Sequence, residues 1–143
     1  MPYHASFAAD DDPRFWFVLD LAIGREHGRA LCGPAPAELL AEPPRARVAE
    51  HALQAIQWWS AAGLPAQTIL AAARSWAWAS GGAWLSKDEG ADWAAAQLAD
   101  PGPVERARAA RDGGPEPSAD DVLAVVEPAR RALTGRVRPH AGE

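Results

Sequence analysis

The sequence predicts an all-α protein, an antiparallel bundle of about six or seven helices. Three observations predict this fold class. Apolar residues recur every three or four positions in several segments, which places them on one face of a helix. Gly and Pro residues separate these segments and act as helix starts and stops. No segment alternates apolar and polar residues as a half-buried strand does.

Pro and Gly residues bound the first two helices. Asp12 and Pro13 form a helix-start signal, an acid at the N-cap followed by proline at the first helical position. This helix is expected to end at about His27, because Gly28 is a typical C-terminal residue. A short second helix is expected over residues 35–41.

Two longer helices occupy the middle of the chain. The first covers residues 45–62, and the second runs from Pro65 to about Ser80, where Gly81 and Gly82 end it. In the first of these helices, four apolar residues share one face: Val48, Ala52, Ile56 and Trp59.

N-cap signals open the later helices. Ser86 and Glu89 have the spacing of a capping box, in which each residue satisfies a backbone N–H near the other. A short polar helix follows, and Ser118 with Asp121 caps the last helix. We expect Pro128 to kink this helix and the chain to fray from Arg136 onward. Its apolar face consists of Val122, Val125, Val126, Ala129 and Leu133.

Length and composition are typical of one globular domain. The chain has 143 residues, of which 48% are hydrophobic and 23% charged, so we expect a single helical domain over residues 1–143 with its core at about 14–134. The net charge of -5 argues against nucleic acid as a partner. No apolar run is long enough to span a membrane, and the N-terminus does not resemble a signal peptide, so we expect a cytoplasmic protein.

Two features near the N-terminus are expected to carry no chemistry. Cys32 is the single cysteine, which excludes an intrachain disulfide and a Cys-rich metal site, and we expect it to be a small buried residue. The acids at 10–12 could suggest a metal-binding D-x-D motif. Only nine residues precede them, none of them glycine, which leaves no room for a phosphate-binding loop.

The segment 74–94 holds four of the seven tryptophans and Lys87, the only lysine. Lys87 follows the predicted N-cap, where the positive end of the helix dipole disfavours a cation, so we interpret it as a candidate anion contact. We expect Trp76 and Trp93 to be core residues. Trp58 and Trp59 are adjacent and project in different directions from a helix, so one is expected in the core and the other in a cleft.

Two blocks of sequence are more specific than a generic helical bundle. The first is L-A-I-G-R-E-H-G-R-A-L-C-G-P-A-P-A-E-L-L over 21–40, and the second reads R-x-W, then a glycine, then K-D-x-x-A-D-W-A within 74–94. Both resemble the C-terminal helical domain of the aminoglycoside adenylyltransferases that modify streptomycin and spectinomycin. The resemblance covers roughly residues 14–111 and includes the helix with Trp58 and Trp59.

The resemblance implies a function shared between two domains. In that family an N-terminal nucleotidyltransferase domain, absent from this chain, transfers AMP from ATP with the help of magnesium, and the helical domain closes over the cleft. ATP and magnesium are therefore the implied cofactors, with the magnesium ligands missing here. Lys87 matches the family lysine that contacts ATP phosphates, Trp58 or Trp59 matches the tryptophan that packs against the drug, and Gln67 falls near a polar drug-contacting position.

The chain also departs from the family pattern. The family loop after the drug-contacting tryptophan carries aspartates that pair with the cationic drug, whereas residues 60–68 here read S-A-A-G-L-P-A-Q-T, without an acid. A cationic aminoglycoside would therefore lose its main charge partners. The family's nucleotide-side tyrosine aligns near Arg111, which with Arg106 and Arg108 forms a basic cluster that we expect on a solvated helix face.

We expect a stand-alone or truncated substrate- and nucleotide-binding domain that is inactive without a nucleotidyltransferase partner. One alternative is a non-catalytic module, descended from the enzyme, that binds a small molecule or a protein. Another is a HEPN-like ribonuclease, because Arg45 and His51 have the R-x5-H spacing of those helical enzymes. In that case His51 would act as acid or base and Arg45 would bind the phosphate.

Overall fold

The structure, a computed structural model, describes residues 15–137, which confirm the predicted all-α class. Within this range there are seven helices and no strand. The helices are α1 (Phe15–His27), α2 (Pro36–Leu39), α3 (Arg45–Ala61), α4 (Pro65–Gly81), α5 (Lys87–Gln97), α6 (Gly102–Arg111) and α7 (Ala119–Val137). None of these helices is long and apolar enough to cross a membrane.

Helix α4 is the centre of the bundle. It packs against α3, α5, α6 and α7, with its most extensive contact to α7. Ile69 and Leu70 are fully buried, as are Ala72 and Ala73, so α4 buries most of its circumference. Its many alanines let the neighbouring helices approach closely. Val48, Ala52 and Ile56 of the predicted α3 stripe pack in this core, whereas Trp59 lies outside it. The apolar face of α7 also packs there, with Leu133 fully buried.

The predicted caps form as the sequence indicates. The Ser86 hydroxyl accepts a hydrogen bond from the Glu89 N–H at 3.1 Å, and the Glu89 carboxylate accepts one from the Ser86 N–H at 2.9 Å. Asp121 and Ser118 exchange the same pair of bonds at the start of α7. Gly82 ends α4 with a φ of +82°, a left-handed conformation that favours glycine.

Some expectations need correction or lie outside the described residues. Cys32 is exposed rather than buried, because the chain from residue 28 to 35 runs over the surface and contains no buried residue. Helix α2 is shorter than predicted, since the backbone is already extended at Leu40. Helix α7 continues on both sides of Pro128. The acids at 10–12, the start signal at Pro13 and residues beyond 137 lie outside the described range.

Candidate functional site

Lys87 is the first residue of α5 and is exposed. Its ammonium group makes no hydrogen bond or ion pair with any residue between 15 and 137. The helix begins there because Ser86 and Glu89 satisfy its first backbone donors. The Ser86 backbone N–H, followed by the Ser86 side chain, also lowers the pKa of the Glu89 carboxyl. Lys87 is therefore held on an ordered helix start while its charge stays available.

Two of the carboxylates that follow Lys87 on α5, those of Asp88 and Asp92, are paired with arginines of α6. Arg111 binds Asp88 at 2.8 Å, and Arg108 binds Asp92 at 2.6 Å and the carbonyl oxygen of Asp88 at 2.7 Å. The basic cluster is thus not simply a solvated face, because Arg108 and Arg111 join α6 to α5 and Arg106 joins α6 to α7. Asp88 is thus bound by Arg111 and the Glu89 carboxylate by the Ser86 N–H, so both carboxylates in the first turn of α5 have a partner other than Lys87.

Two side chains at the end of α1 hold the loop that leads to Lys87. The Glu26 carboxylate accepts a hydrogen bond from the Trp84 N–H at 2.9 Å. Nε2 of His27 donates to the Trp84 carbonyl at 2.5 Å, which fixes the tautomer of the imidazole. Both backbone groups of Trp84 are therefore bound by side chains that lie 57 and 58 residues earlier in the chain.

Two arginines bind the same loop from other helices. Arg45 of α3 donates to the Gly82 carbonyl at 2.9 Å, and Arg74 of α4 donates to the Leu85 carbonyl at 2.6 Å. Burial lowers the pKa of Arg74, and the charge of Asp20 opposes this effect. We refer to Glu26, His27, Arg45 and Arg74 as the loop clamp. These roles were not predicted from the sequence, although Glu26, His27 and Arg74 all lie in the two family-like blocks.

Trp58 and Trp59 lie near the end of α3 and pack against α1. The ring centroid of Trp16 is 5.8 Å from that of Trp58 and 5.7 Å from that of Trp59. Trp58 is 40% exposed, whereas Trp59 is half-buried. The more exposed indole, that of Trp58, is therefore the one better placed to contact a ligand. Trp76 and Trp93, expected in the core, pack edge-to-face at 5.2 Å and are only partly buried against it.

Gln67 and Lys87 occupy different parts of the bundle. Gln67 is half-buried in the first turn of α4. Lys87 lies one turn before Gly90, which packs directly against Arg74 in the middle of α4. Because an α-helix rises about 1.5 Å per residue, the stretch from Gln67 to Arg74 spans about 10 Å. A ligand or ligand pair that contacts both must extend along α4.

Arg45 and His51 do not converge on one site. The Arg45 guanidinium lies over the ring of Trp78, 5.4 Å from its centroid, and belongs to the loop clamp. His51 instead lines a groove with Phe17 and Arg47. The two residues therefore have different neighbours. The contacts of Arg45 with Trp78 and Gly82 give this arginine a structural role.

The described residues do not fit a magnesium site. Residues 15–137 contain no group of three or more His, Cys, Asp or Glu side chains placed to hold a metal ion. Carboxylate oxygens are the protein ligands that Mg²⁺ prefers. Of the carboxylates that follow Lys87 on α5, those of Asp88 and Asp92 are bound to arginines and that of Glu89 is bound to the Ser86 N–H.

A family model for the C-terminal domain of aminoglycoside adenylyltransferases matches residues 33–135, more than two thirds of the chain. The chain belongs to this family. No curated protein matches the chain significantly. The match includes Lys87, Trp58, Trp59 and Gln67.

In this member of the adenylyltransferase C-terminal domain family, helix α1 lies before the matched region. It nevertheless packs on α3 through Phe15 and Leu19 and supplies half of the loop clamp. The start of α5, with Lys87, therefore depends on contacts both inside and outside the family match.

Proposed function

We propose that this chain is the substrate- and nucleotide-binding part of an aminoglycoside-adenylyltransferase-like protein. AMP transfer from ATP to a hydroxyl group then requires a nucleotidyltransferase domain supplied by a partner. The family match over residues 33–135, with Lys87 inside it, carries this proposal. The Lys87 ammonium, which makes no ion pair within residues 15–137, and the clamped loop that precedes it support this proposal.

Each proposed binding residue has a chemical role. The Lys87 ammonium is a compact point charge suited to a phosphate oxygen of ATP. The exposed ring of Trp58 offers a flat apolar surface, and Trp59 packs edge-to-face against it with a centroid distance of 4.9 Å. The Gln67 amide can both donate and accept a hydrogen bond. The carboxylates that bind catalytic magnesium would come from the partner domain.

A titration of the isotope-labelled chain with ATP, followed by NMR, tests the nucleotide site. Lys87→Ala should weaken ATP binding roughly tenfold to a hundredfold, because a hydrogen bond to a charged group contributes about 1.5–3 kcal/mol. Lys87→Arg should retain most of the affinity, since it retains the charge. In the unsubstituted chain the backbone signals of residues 86–89 should shift most.

Arg29→Ala provides a control matched for net charge. Arg29 is exposed, lies between α1 and α2, and makes no ion pair within the described range. Its removal should leave ATP binding unchanged. If Arg29→Ala and Lys87→Ala weakened ATP binding equally, the affinity would depend only on the net charge of the chain. Undisturbed signals at residues 86–89 in millimolar ATP would contradict the proposal.

A further inference from the structure

A groove of about 400 Å³ lies between the α3–α4 turn and the start of α7. Leu64 and Pro65 form one side and Val122 and Leu123 the other. Leu64 is 41% exposed and Leu123 is 53% exposed, so two large apolar side chains face solvent at this groove. The volume lies within the range of small-molecule sites, roughly 300–1,000 Å³. We call it the α3–α4 groove.

Among residues 15–137, none of those that line the α3–α4 groove is charged. The acids nearby in sequence have other roles. Glu116 accepts a hydrogen bond from the Ala66 N–H at 3.2 Å, and Asp121 pairs with Arg106 through two hydrogen bonds. Asp120 is exposed but does not line the groove. A polycation bound in the groove would therefore lose hydrating water without gaining an ion pair to a carboxylate.

The hydrogen-bonding capacity of the groove is also small. The Thr68 hydroxyl is fully buried and already donates to the Leu64 carbonyl at 2.8 Å. Among the lining side chains this leaves the Ser60 hydroxyl, which is exposed and makes no hydrogen bond within the described range. A ligand of this groove must be recognised mainly by its apolar surface, with one polar contact.

We propose that the α3–α4 groove binds an uncharged, mainly apolar small molecule, in place of a cationic aminoglycoside. This inference rests on the proposed function for its assignment of the α3–α4 turn to the substrate side. The argument is complementarity: an apolar, acid-free surface gains free energy by burying apolar area and loses it by desolvating a cation.

Fluorescence titration with the neutral dye Nile red tests the inference, with streptomycin as the cationic comparison. The unsubstituted chain should bind Nile red, and millimolar streptomycin should neither bind measurably nor displace the dye. Leu123→Gln should weaken dye binding about fivefold, since it removes part of the apolar contact area of one leucine. Leu64→Asp should weaken it further, because it places a charge at the groove.

Leu39→Gln is the matched control. Leu39 is 68% exposed on α2 and does not line the groove, so its substitution should not change dye binding. Leu39, Leu64 and Leu123 are all exposed, so the three variants should keep the helical circular dichroism of the parent chain. NMR shifts of the leucine methyl groups on dye addition locate the site independently of any substitution.

Several results would overturn the inference. They are streptomycin binding as tight as dye binding, equal weakening by Leu39→Gln and Leu123→Gln, or dye-induced shifts confined to residues outside the groove. The titration contains no nucleotide, so its failure is distinguishable from failure of the Lys87 experiment. Loss of ATP binding in Lys87→Ala together with no dye binding would keep the nucleotide role and reject this substrate class.

Discussion

Asp121 shows at the scale of a residue how one carboxylate joins α6 to α7. It accepts hydrogen bonds from the Arg106 guanidinium at 2.9 and 2.5 Å and from the Ser118 N–H at 3.0 Å. The Arg106 side chain, followed by the Ser118 backbone, lowers the pKa of Asp121 from 3.8 to about 2. The hydrogen bonds from Arg106 and from Ser118 all stabilise the charged form of the carboxyl. The same carboxylate thus caps a helix and pairs with an arginine.

This depressed pKa predicts an acid-dependent loss of stability. The Asp121 contribution is complete above about pH 4, because the carboxyl is then ionised in both the folded and the unfolded chain. As the pH falls from about 4 to about 2, the unfolded chain takes up this proton first, and the free energy of unfolding decreases. Asp121→Asn should flatten this part of the pH profile in chemical denaturation.

Asp120→Asn is the control for the Asp121 prediction. Asp120 is the exposed neighbour in the same helical turn and makes no ion pair within residues 15–137. Its variant should follow the parent pH profile. If Asp121→Asn and the parent lost stability equally between pH 4 and 2, the paired carboxylate would not be the cause.

At the scale of an element, the close approach of α5 to α4 depends on a glycine in α5. A Cβ atom added at Gly90 would lie 2.9 Å from the Cα of Arg74 on α4. That atom belongs to the backbone, so the contact cannot be relieved by rotating a side chain. Gly90 therefore allows α5 to approach α4 at the level of Arg74, and this contact positions the helix that starts with Lys87.

Gly90→Ala should destabilise the fold by about 1–3 kcal/mol, because the added methyl group overpacks the contact between α5 and α4. Gly135→Ala is the matched control, since an added Cβ at Gly135 in α7 has no neighbour within 4 Å. It should leave stability unchanged or raise it by up to about 1 kcal/mol through helix propensity. Urea denaturation of both variants checks the pair; a stabilised Gly90→Ala would contradict the proposed overpacking.

At the scale of the whole molecule, α1 and the α4–α5 loop form one unit although they are far apart in sequence. Glu26 and His27 bind both backbone groups of Trp84, whose ring stacks on that of Trp78 at 5.3 Å. Because α1 precedes the family match, this contact extends the matched region with a further element. The position of Lys87 is then a property of the assembled bundle.

Hydrogen exchange of backbone amides tests this coupling. In Glu26→Ala the Trp84 N–H loses its acceptor, so its exchange should accelerate by about tenfold, the loss of a hydrogen bond to a charged group being about 1.5 kcal/mol. Glu50→Ala removes an exposed acid of α3 that makes no hydrogen bond within the described residues, and it should not change this exchange. Unchanged Trp84 exchange in Glu26→Ala would show that the loop is held without α1.

Local signals predicted the elements well. Spacing of apolar residues identified α3, α4 and α7, and the capping residues Ser86 and Ser118 marked helix starts that the structure has at the next residue. These signals work because helix periodicity and N-cap hydrogen bonds involve residues only a few positions apart. The candidate site residues were predicted by resemblance to the family, and their binding roles stay predictions.

Contacts between distant segments were not predictable in the same way. Burial of Cys32 was a wrong prediction, because residue type does not show whether a connecting segment crosses the core or the surface. The loop clamp was missed for a related reason: a charged side chain has many possible partners, and which backbone group it meets depends on how the helices pack. The pairing of Arg108 and Arg111 with α5 was not predictable for the same reason.

The sequence by itself determined the helices, their caps, and the family to which the two blocks point, because these depend on short spacings. Only the tertiary structure decided that α1 holds the loop before Lys87, that Trp58 is the more exposed of its pair, and that the acid-free turn at 60–68 borders an apolar groove. These properties arise where side chains from different helices meet. The free energy of such contacts depends on how the helices pack together rather than on the residues nearby in sequence.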